Sequence, residues 1–429
     1  MTQPVTSSQG TENWPTRALD HVWYPYAQMR DMDPPVAVAG AEGCRIRLAD
    51  GRELVDGTAS WWSACHGYRH PHIMEAVHRQ LDVLPHVMLG GMTHEPIIRL
   101  AERLADKAPG DLAHAMFTES GSVSVEVALK MARQYWDNRG ETQRDLFIAF
   151  ENGYHGDTAG CMGVSDTYRD LRPRFRGLAH EHVTVPLPPE EGPCALERAL
   201  AEYGERVAGV ITEPLIQGAG GMLVHSPAVL RRAAELAHGA GTLFIADEIA
   251  TGFGRTGSLF ASEQAGVAPD IMCLCKALTA GTMPMAATLA TRAVFEGFHG
   301  PDESTALMHG PTFTGNPLGA AAANASLDLF EREPRLAQVA ALEAQLGEEL
   351  APLAELPGVV DVRIKGAMGA VQLATDRHKD WMRHRFVDHG VWIRPLGDIA
   401  YVTPPLVLAG DDLSRLTDAM GRVIREAFA

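Results

Sequence analysis

The chain is poor in cysteine, poor in aromatic residues and short of positive charge, and each shortage removes a class of protein. Six cysteines occur in 429 residues (Cys44, Cys65, Cys161, Cys194, Cys273 and Cys275), without the spacing of a disulfide framework or a zinc site. They read as reduced thiols. Lysine and arginine number 37 against 54 acidic residues, a formal charge of -17. That balance disfavours nucleic acid or an anionic membrane surface as a general partner. No uninterrupted apolar run is long enough to span a bilayer, and residues 1–20 are polar, with no apolar stretch of the kind a secretory signal needs. A cytoplasmic protein is expected. No G-x-x-x-x-G-K-[ST] occurs, and no internal repeat is present. His66, His70 and His72 stand close together in a Gly/Pro-rich turn, but they make a poor ligand set, so no metal is expected.

What is there begins with a 46% apolar content, enough for a large core divided between a major and a minor domain. Residues 1–60 read as a loose N-terminal arm followed by short strands around Asp50-Gly51, 61–330 as the large domain, and 331–429 as a smaller α+β domain. Within the large domain, strand-like runs over 145–150, 207–212, 241–249 and 286–291 alternate with helical stretches, including one opened by Ser226-Pro227. Such alternation predicts an α/β fold with a mostly parallel central sheet and ligands at the carboxyl ends of its strands. Beyond residue 331, three further strands over 359–364, 369–373 and 391–394 are expected to form a smaller antiparallel sheet.

Several chemistry-bearing residues fall at those strand ends. Lys276 closes the apolar run Ile271-Met-Cys-Leu-Cys275. Burial disfavours an ammonium and makes such a lysine a candidate nucleophile, although a solvated loop lysine would look the same alone. Asp247 and Glu248 close the strand before it, and Glu213 closes another. Tyr154 sits in Asn152-Gly-Tyr-His-Gly156, held by glycines where backbone can approach a ligand. Ser120-Gly-Ser122 opens a helix and suits either a phosphate or ordinary capping. Trp61 and Trp62 are adjacent among small residues, so at least one is expected to line a pocket as a flat apolar wall. A lysine for an aldehyde, a carboxylate for a ring nitrogen, an aromatic stacker and a phosphate cradle are together what pyridoxal 5'-phosphate requires.

The ordered set Glu119-Ser-Gly-Ser122, Tyr154-His-Gly156, Asp247-Glu-Ile-Ala-Thr-Gly-Phe-Gly-Arg-Thr-Gly257, Lys276 and Gly310-Pro-Thr-Phe313 resembles the class III (ω-type) aminotransferases of fold type I, over nearly the whole chain from about Trp23 to Val407. The resemblance implies that Lys276 holds the cofactor aldehyde and moves the proton, Asp247 pairs with the ring nitrogen, Tyr154 stacks on the ring, and Gly121 with Ser122 holds phosphate. It implies that Pro311 and Thr312 contribute to cofactor binding, Thr312 from the neighbouring subunit of a homodimer with shared active sites. Tyr26, Trp61, Trp62, Tyr154 and Asp157 would line the substrate pocket, with Arg255 and Arg394 near substrate carboxylates.

Trp23-Tyr-Pro-Tyr26, Trp61-Trp62, Ile249-Ala-Thr-Gly252 and Trp392-Ile-Arg-Pro395 are similar, within that family, to members of biotin synthesis that aminate 8-amino-7-oxononanoate with S-adenosylmethionine. Ala250 stands where many of the class carry Gln, Cys275 where most have Gly, and Thr314 where many have Met. Two alternatives within the class are another ω-aminotransferase for diamines or β- or ω-amino acids, and the same acceptor with lysine as donor. A cofactor-binding DNA regulator on this fold is disfavoured by the acidic charge and the short polar arm before Trp23.

Overall fold

The computed structural model describes residues 14–175, 177–180 and 182–429. Residues 1–13 of the expected arm lie outside the described residues. Trp14–His21, read from composition as part of that loose arm, is instead helical. Ala18 and Leu19 favour helix, and the Val22 amide donates to the Ala18 carbonyl at 2.8 Å to close its last turn.

Strands β1 (Val38–Glu42), β2 (Arg45–Leu48) and β3 (Glu53–Asp56) form an antiparallel meander, the last two joined across Asp50-Gly51. The central sheet contains β4 (His114–Thr118), β5 (Leu146–Phe150), β6 (Val183–Val185) and β7 (Val207–Thr212). A short hairpin, β8 (Ile216–Gln217) with β9 (Leu223–Val224), stands apart from it, and β10 (Leu243–Asp247), β11 (Ile271–Leu274) and β12 (Ala286–Ala290) complete it. Its order is β4-β12-β11-β10-β7-β5-β6. β12 runs antiparallel to both its neighbours, β4 and β11; β11, β10, β7, β5 and β6 are mutually parallel.

The pleat decides which face each residue joins. Leu243 and Ile245 pack with Val125 and Ala128 of the helix Gly121–Asn138, whereas Phe244 between them packs with Leu230 and Ala233 of the helix Pro227–Gly239. Asp247 shares the parity of Leu243 and Ile245, so the sheet aims it toward the face on which the Gly121 helix begins. Both faces are covered, which is why these strands read as continuous apolar runs rather than alternating ones.

In the C-terminal segment, β13 (Val359–Lys365), β14 (Met368–Leu373) and β16 (Ile399–Val402) make a three-stranded antiparallel sheet. Val391–Trp392 (β15), expected in this sheet, pairs in parallel with β3 instead. The Val55 amide donates to the Gly390 carbonyl at 3.0 Å and the Gly57 amide to the Trp392 carbonyl at 2.9 Å. A Cβ at Gly57 would lie 3.0 Å from that carbonyl oxygen, so the close approach uses glycine. The pairing joins the N-terminal meander to the C-terminal segment.

Candidate active site

Lys276 leaves β11 with a positive φ of 40°, in the left-handed region that a lysine rarely adopts. It keeps partial exposure, yet burial pulls its ammonium below the ordinary lysine pKa, against the opposing charges of Asp247, Cys275 and Glu213. Its Nζ stands 5.2 Å from the centre of the Trp62 ring, within cation–π range. Trp62 is held there by an uncommon turn. Ala59, Ser60, Trp61 and Trp62 have φ of 46°, 47°, 55° and 75°, four successive non-glycine residues in left-handed conformation. Each costs about 1–2 kcal/mol. Hydrogen bonds from the turn offset part of this strain: Ser63 Oγ donates to the Ser60 carbonyl at 2.9 Å, and Ser60 shares a 2.7 Å bond with Tyr68, whose hydroxyl donates to Asp56 at 2.6 Å. The turn splits the tryptophan pair, burying Trp62 and leaving Trp61 exposed beneath the Arg394 guanidinium, 5.3 Å from its ring centre.

Asp247 is buried beside His155, which meets it at 2.7 Å through Nδ1, while the Ile249 amide donates to the other oxygen at 3.2 Å. The register places Asp247 against Cys273, three residues before Lys276, so adjacent parallel strands deliver carboxylate and amine to one edge. Ser120 caps the helix that follows β4 by accepting from the Val123 amide at 3.3 Å. Ser122 does not cap; its Oγ accepts from the Asp157 amide at 3.0 Å. A Cβ on Gly156 would fall 2.3 Å from that Oγ, and Gly156 has φ of 117°, so glycine alone lets the Tyr154 loop close on the helix start. Glu213 fastens the same loop from beneath, accepting from the amides of Tyr154 and Gly218 at 3.0 Å each. Burial pushes Glu213 up to about 7, with His155 opposing.

A family model described as Aminotransferase class-III matches residues 26–424. The chain belongs to the class III aminotransferases. It is 40% identical over 427 residues to the adenosylmethionine-8-amino-7-oxononanoate aminotransferase of Corynebacterium glutamicum, covering 96% of this chain and 99% of that one. It superposes with a TM-score of 0.91 on the crystal structure of the adenosylmethionine-8-amino-7-oxononanoate aminotransferase of Methanocaldococcus jannaschii, at 32% identity, covering 96% and 98% of the two chains. An amine transaminase from an uncultivated Pseudomonas species, solved in its PLP-bound form, superposes with a TM-score of 0.88 at 32% identity, covering 95% and 99%.

This aminotransferase offers pyridoxal phosphate a fitting set of donors: a desolvated lysine, a buried carboxylate one strand away, and a helix start against which only glycine lets the neighbouring loop pack. The residues singled out in the sequence fall into three groups. Lys276 meets Trp62, Asp247 stands one strand away from Lys276, Ser122 at the start of the Gly121 helix accepts from the Asp157 amide, Tyr154 and Tyr26 bond the Asp157 carboxylate, at 2.9 Å and at 2.8 and 2.7 Å, and Trp61 lies under Arg394. Pro311 and Thr312 lie on a turn closed by Thr314 N to Pro311 O at 3.0 Å, with Thr312 exposed. Thr314 gives its hydroxyl to the Phe117 carbonyl at 2.6 Å, which accounts for that departure as an anchor of the turn to β4. Arg255 is 2% exposed, with one nitrogen donating to the carbonyls of Ala367 and Pro404 at 3.0 and 2.8 Å and another without a partner. Burial lowers it to about 10.

The three histidines of the early turn go separate ways: His66 accepts from Arg335 at 2.9 Å, His72 meets Asp328 at 2.9 Å, and His70 lies 3.9 Å from Glu333. Three contributors had no assigned role in the sequence. His155 was visible inside the Tyr154 motif and Glu213 as a strand-end carboxylate; Tyr168, which donates to Asp157 at 2.5 Å, had no signal at all.

Proposed function

We propose that this aminotransferase moves an amino group from S-adenosylmethionine to 8-amino-7-oxononanoate, giving 7,8-diaminononanoate for biotin synthesis. The observation that carries the reading is Arg394 lying over the ring of Trp61, the neighbour in sequence of the Trp62 that faces Lys276: a guanidinium on an aromatic wall suits an acyl chain that ends in carboxylate. The near full-length similarity to enzymes named for this reaction supports it.

When bound, pyridoxal phosphate supplies an electron sink for the pair released as a C–H bond beside nitrogen breaks. Lys276 Nζ, held below its ordinary pKa by burial, takes that proton and returns it in both halves of a ping-pong cycle. Asp247 would keep the ring nitrogen protonated, with His155 steering its carboxylate. Tyr154 would lie on the ring, and Trp62 would screen Lys276 from water. The amides of Gly121 and Ser122 would take the phosphate. Arg255 has one unpartnered nitrogen to offer a substrate carboxylate, so Arg394 is assigned the larger share of that contact.

A homodimer is part of this reading. Thr312 is exposed on a turn flanked by the exposed Met308 and Phe313, which supports its reaching the phosphate of a second copy. We also infer a small lobe made of residues up to about 60 and from about 331 onward, set against a large lobe of 61–330; the pairing of β3 with β15 supports grouping the two chain ends. No helix among the described residues is long and apolar enough to cross a membrane, and with the acidic charge this supports a cytoplasmic enzyme working on small molecules, without nucleic acid or membrane partners.

Arg394→Ala is expected to raise the KM for 8-amino-7-oxononanoate about 10- to 100-fold, the scale of a lost charge-assisted hydrogen bond, and to leave cofactor retention unchanged. Steady-state kinetics with the absorption spectrum check this; an unchanged KM would remove Arg394 from carboxylate recognition. The donor is tested by adding S-adenosylmethionine, and separately lysine, to the cofactor-loaded protein. Bleaching of the visible band by S-adenosylmethionine supports the proposal, and bleaching by lysine alone replaces the donor.

A further inference from the structure

The helix Gly121–Asn138 starts with the amides assigned above to the cofactor phosphate, and its later turns grip a distant segment. Lys130, Gln134 and Asn138 stand at i, i+4 and i+8 on one face of the helix, and all three donate to backbone carbonyls between Gly297 and Met308. Asn138 Nδ2 reaches the carbonyls of Gly297 and Thr305 at 3.0 Å each, Gln134 Nε2 those of Ala306 at 2.9 Å and Thr305 at 3.3 Å, and Lys130 Nζ that of Met308 at 2.9 Å. A Cβ on Gly297 would fall 2.5 Å from the Tyr135 ring, so glycine lets the segment lie close against the helix. Lys130 is the last rung before the turn that holds Pro311 and Thr312. Its Nζ also stands 3.4 Å from Nδ1 of His309, whose Nε2 is buried without a partner. Among the described residues no other side chain bonds a backbone group between Leu307 and Phe313, and the far end is pinned by Thr314 on the Phe117 carbonyl. Anchoring through the backbone suits this stretch, because its apolar side chains Met308 and Phe313 stay mostly outside the core, 72% and 59% exposed.

We propose that Lys130 is a positioning residue for the cofactor site of a second copy of this chain: by fixing the Met308 carbonyl it sets the 309–313 turn where Thr312 can reach the neighbour's phosphate. This rests on the proposed homodimer with shared sites. The lysine is badly placed to serve its own chain's phosphate. It follows Gly121 by nine residues of one helix, about 13 Å at 1.5 Å per residue. That is beyond the roughly 8–10 Å within which exposed charges escape screening by salt. Its effect therefore belongs to the partner's site and passes through Thr312. Without Lys130, residues 307–313 hang between the Ala306 carbonyl and Thr314, and the Thr312 hydroxyl spends less time where the phosphate needs it.

The test uses doubly tagged mixed dimers purified from co-expressed chains. One chain keeps Lys276 and the other carries Lys276→Ala, so the visible band reports only the site built on the first. Lys130→Met preserves length and helix preference while removing the charge and its donors. Placed in the Lys276→Ala chain, which lends its turn to the reporting site, it is expected to raise the half-saturating pyridoxal phosphate concentration about ten-fold, the scale of one lost hydrogen bond to a charged group. Placed in the chain that keeps Lys276, it should shift that concentration by less than about two-fold, as a screened charge would. With Thr312→Ala already in the lending chain, Lys130→Met should add nothing. Equal effects from both placements, an effect only in the chain that keeps Lys276, no effect from either, or an undiminished effect on top of Thr312→Ala would overturn the proposal; a lysine that merely stabilises the fold gives equal effects. Failure to recover doubly tagged protein would overturn it together with the homodimer. The readout needs no substrate, so a failure to turn over 8-amino-7-oxononanoate would count against the proposed reaction alone.

Discussion

Lys276→Ala is expected to yield a folded protein that has lost the visible absorption of bound cofactor and turns over at least about four orders of magnitude more slowly. The magnitude follows from the removal of a group that works twice, as covalent anchor and as proton carrier; proton transfer by a positioned side chain alone is worth about 10²- to 10⁴-fold. The site around it is not built to lend a substitute. The nearby acidic groups Asp247 and Glu213 are held by other partners, Asp247 by His155 and the Ile249 amide, Glu213 by two backbone amides. Fold integrity should be unaffected or improved, because the alanine removes a desolvated ammonium from a strained position. Absorbance, rapid kinetics and thermal unfolding measured together check this. A Lys276→Ala protein that retained the band and turned over would remove Lys276 from the chemistry.

Asp247→Asn is expected to bind cofactor but to lower kcat by about 10²- to 10³-fold, the usual loss when a preorganised charge is removed from a buried site. The amide preserves shape and can still accept from the Ile249 amide, so the effect isolates charge rather than packing. His155 then faces a neutral partner at the 2.7 Å contact, and its orientation loses the pull that holds it. The measurement is kcat at saturating substrates, with the cofactor content of the purified variant fixed by absorbance. A kcat within a few-fold of wild type at equal cofactor content would mean that Asp247 does not set the state of the ring nitrogen.

The sequence carried the parts of the fold that local chemistry decides. Val207–Thr212 is a strand at the expected residues because it is short, apolar and β-branched, and the helix after Ser226-Pro227 starts where capping and proline geometry place it. Lys276 and Asp247 were legible because each closes an apolar strand, and a parallel sheet collects such ends on one edge. What stayed hidden depends on contacts between distant segments. The partner of Val391–Trp392 is chosen by a glycine more than 300 residues earlier, Gly57, and nothing in the local pattern distinguishes that pairing from an antiparallel one. Arg255 lies in the most distinctive motif of the chain, yet its guanidinium is taken up by two carbonyls from the C-terminal segment. The left-handed turn at Ala59–Trp62 contains no glycine to announce it, and its strain is offset by a tyrosine and an aspartate on either side of it. Tyr168 sits in an unremarkable polar stretch and acquires meaning only because Asp166 and Thr167 bind the Tyr154 loop.

The most direct measurement of the central claim uses both halves of the cycle in one vessel. The cofactor-loaded protein is bleached with an accepted donor, freed of excess amine, and mixed with 8-amino-7-oxononanoate while absorbance and product are followed. The account predicts that the visible band returns at a rate that saturates with acceptor and that one equivalent of 7,8-diaminononanoate forms per site. A band that stays bleached with this acceptor, but returns with other aldehydes or ketones, would contradict it.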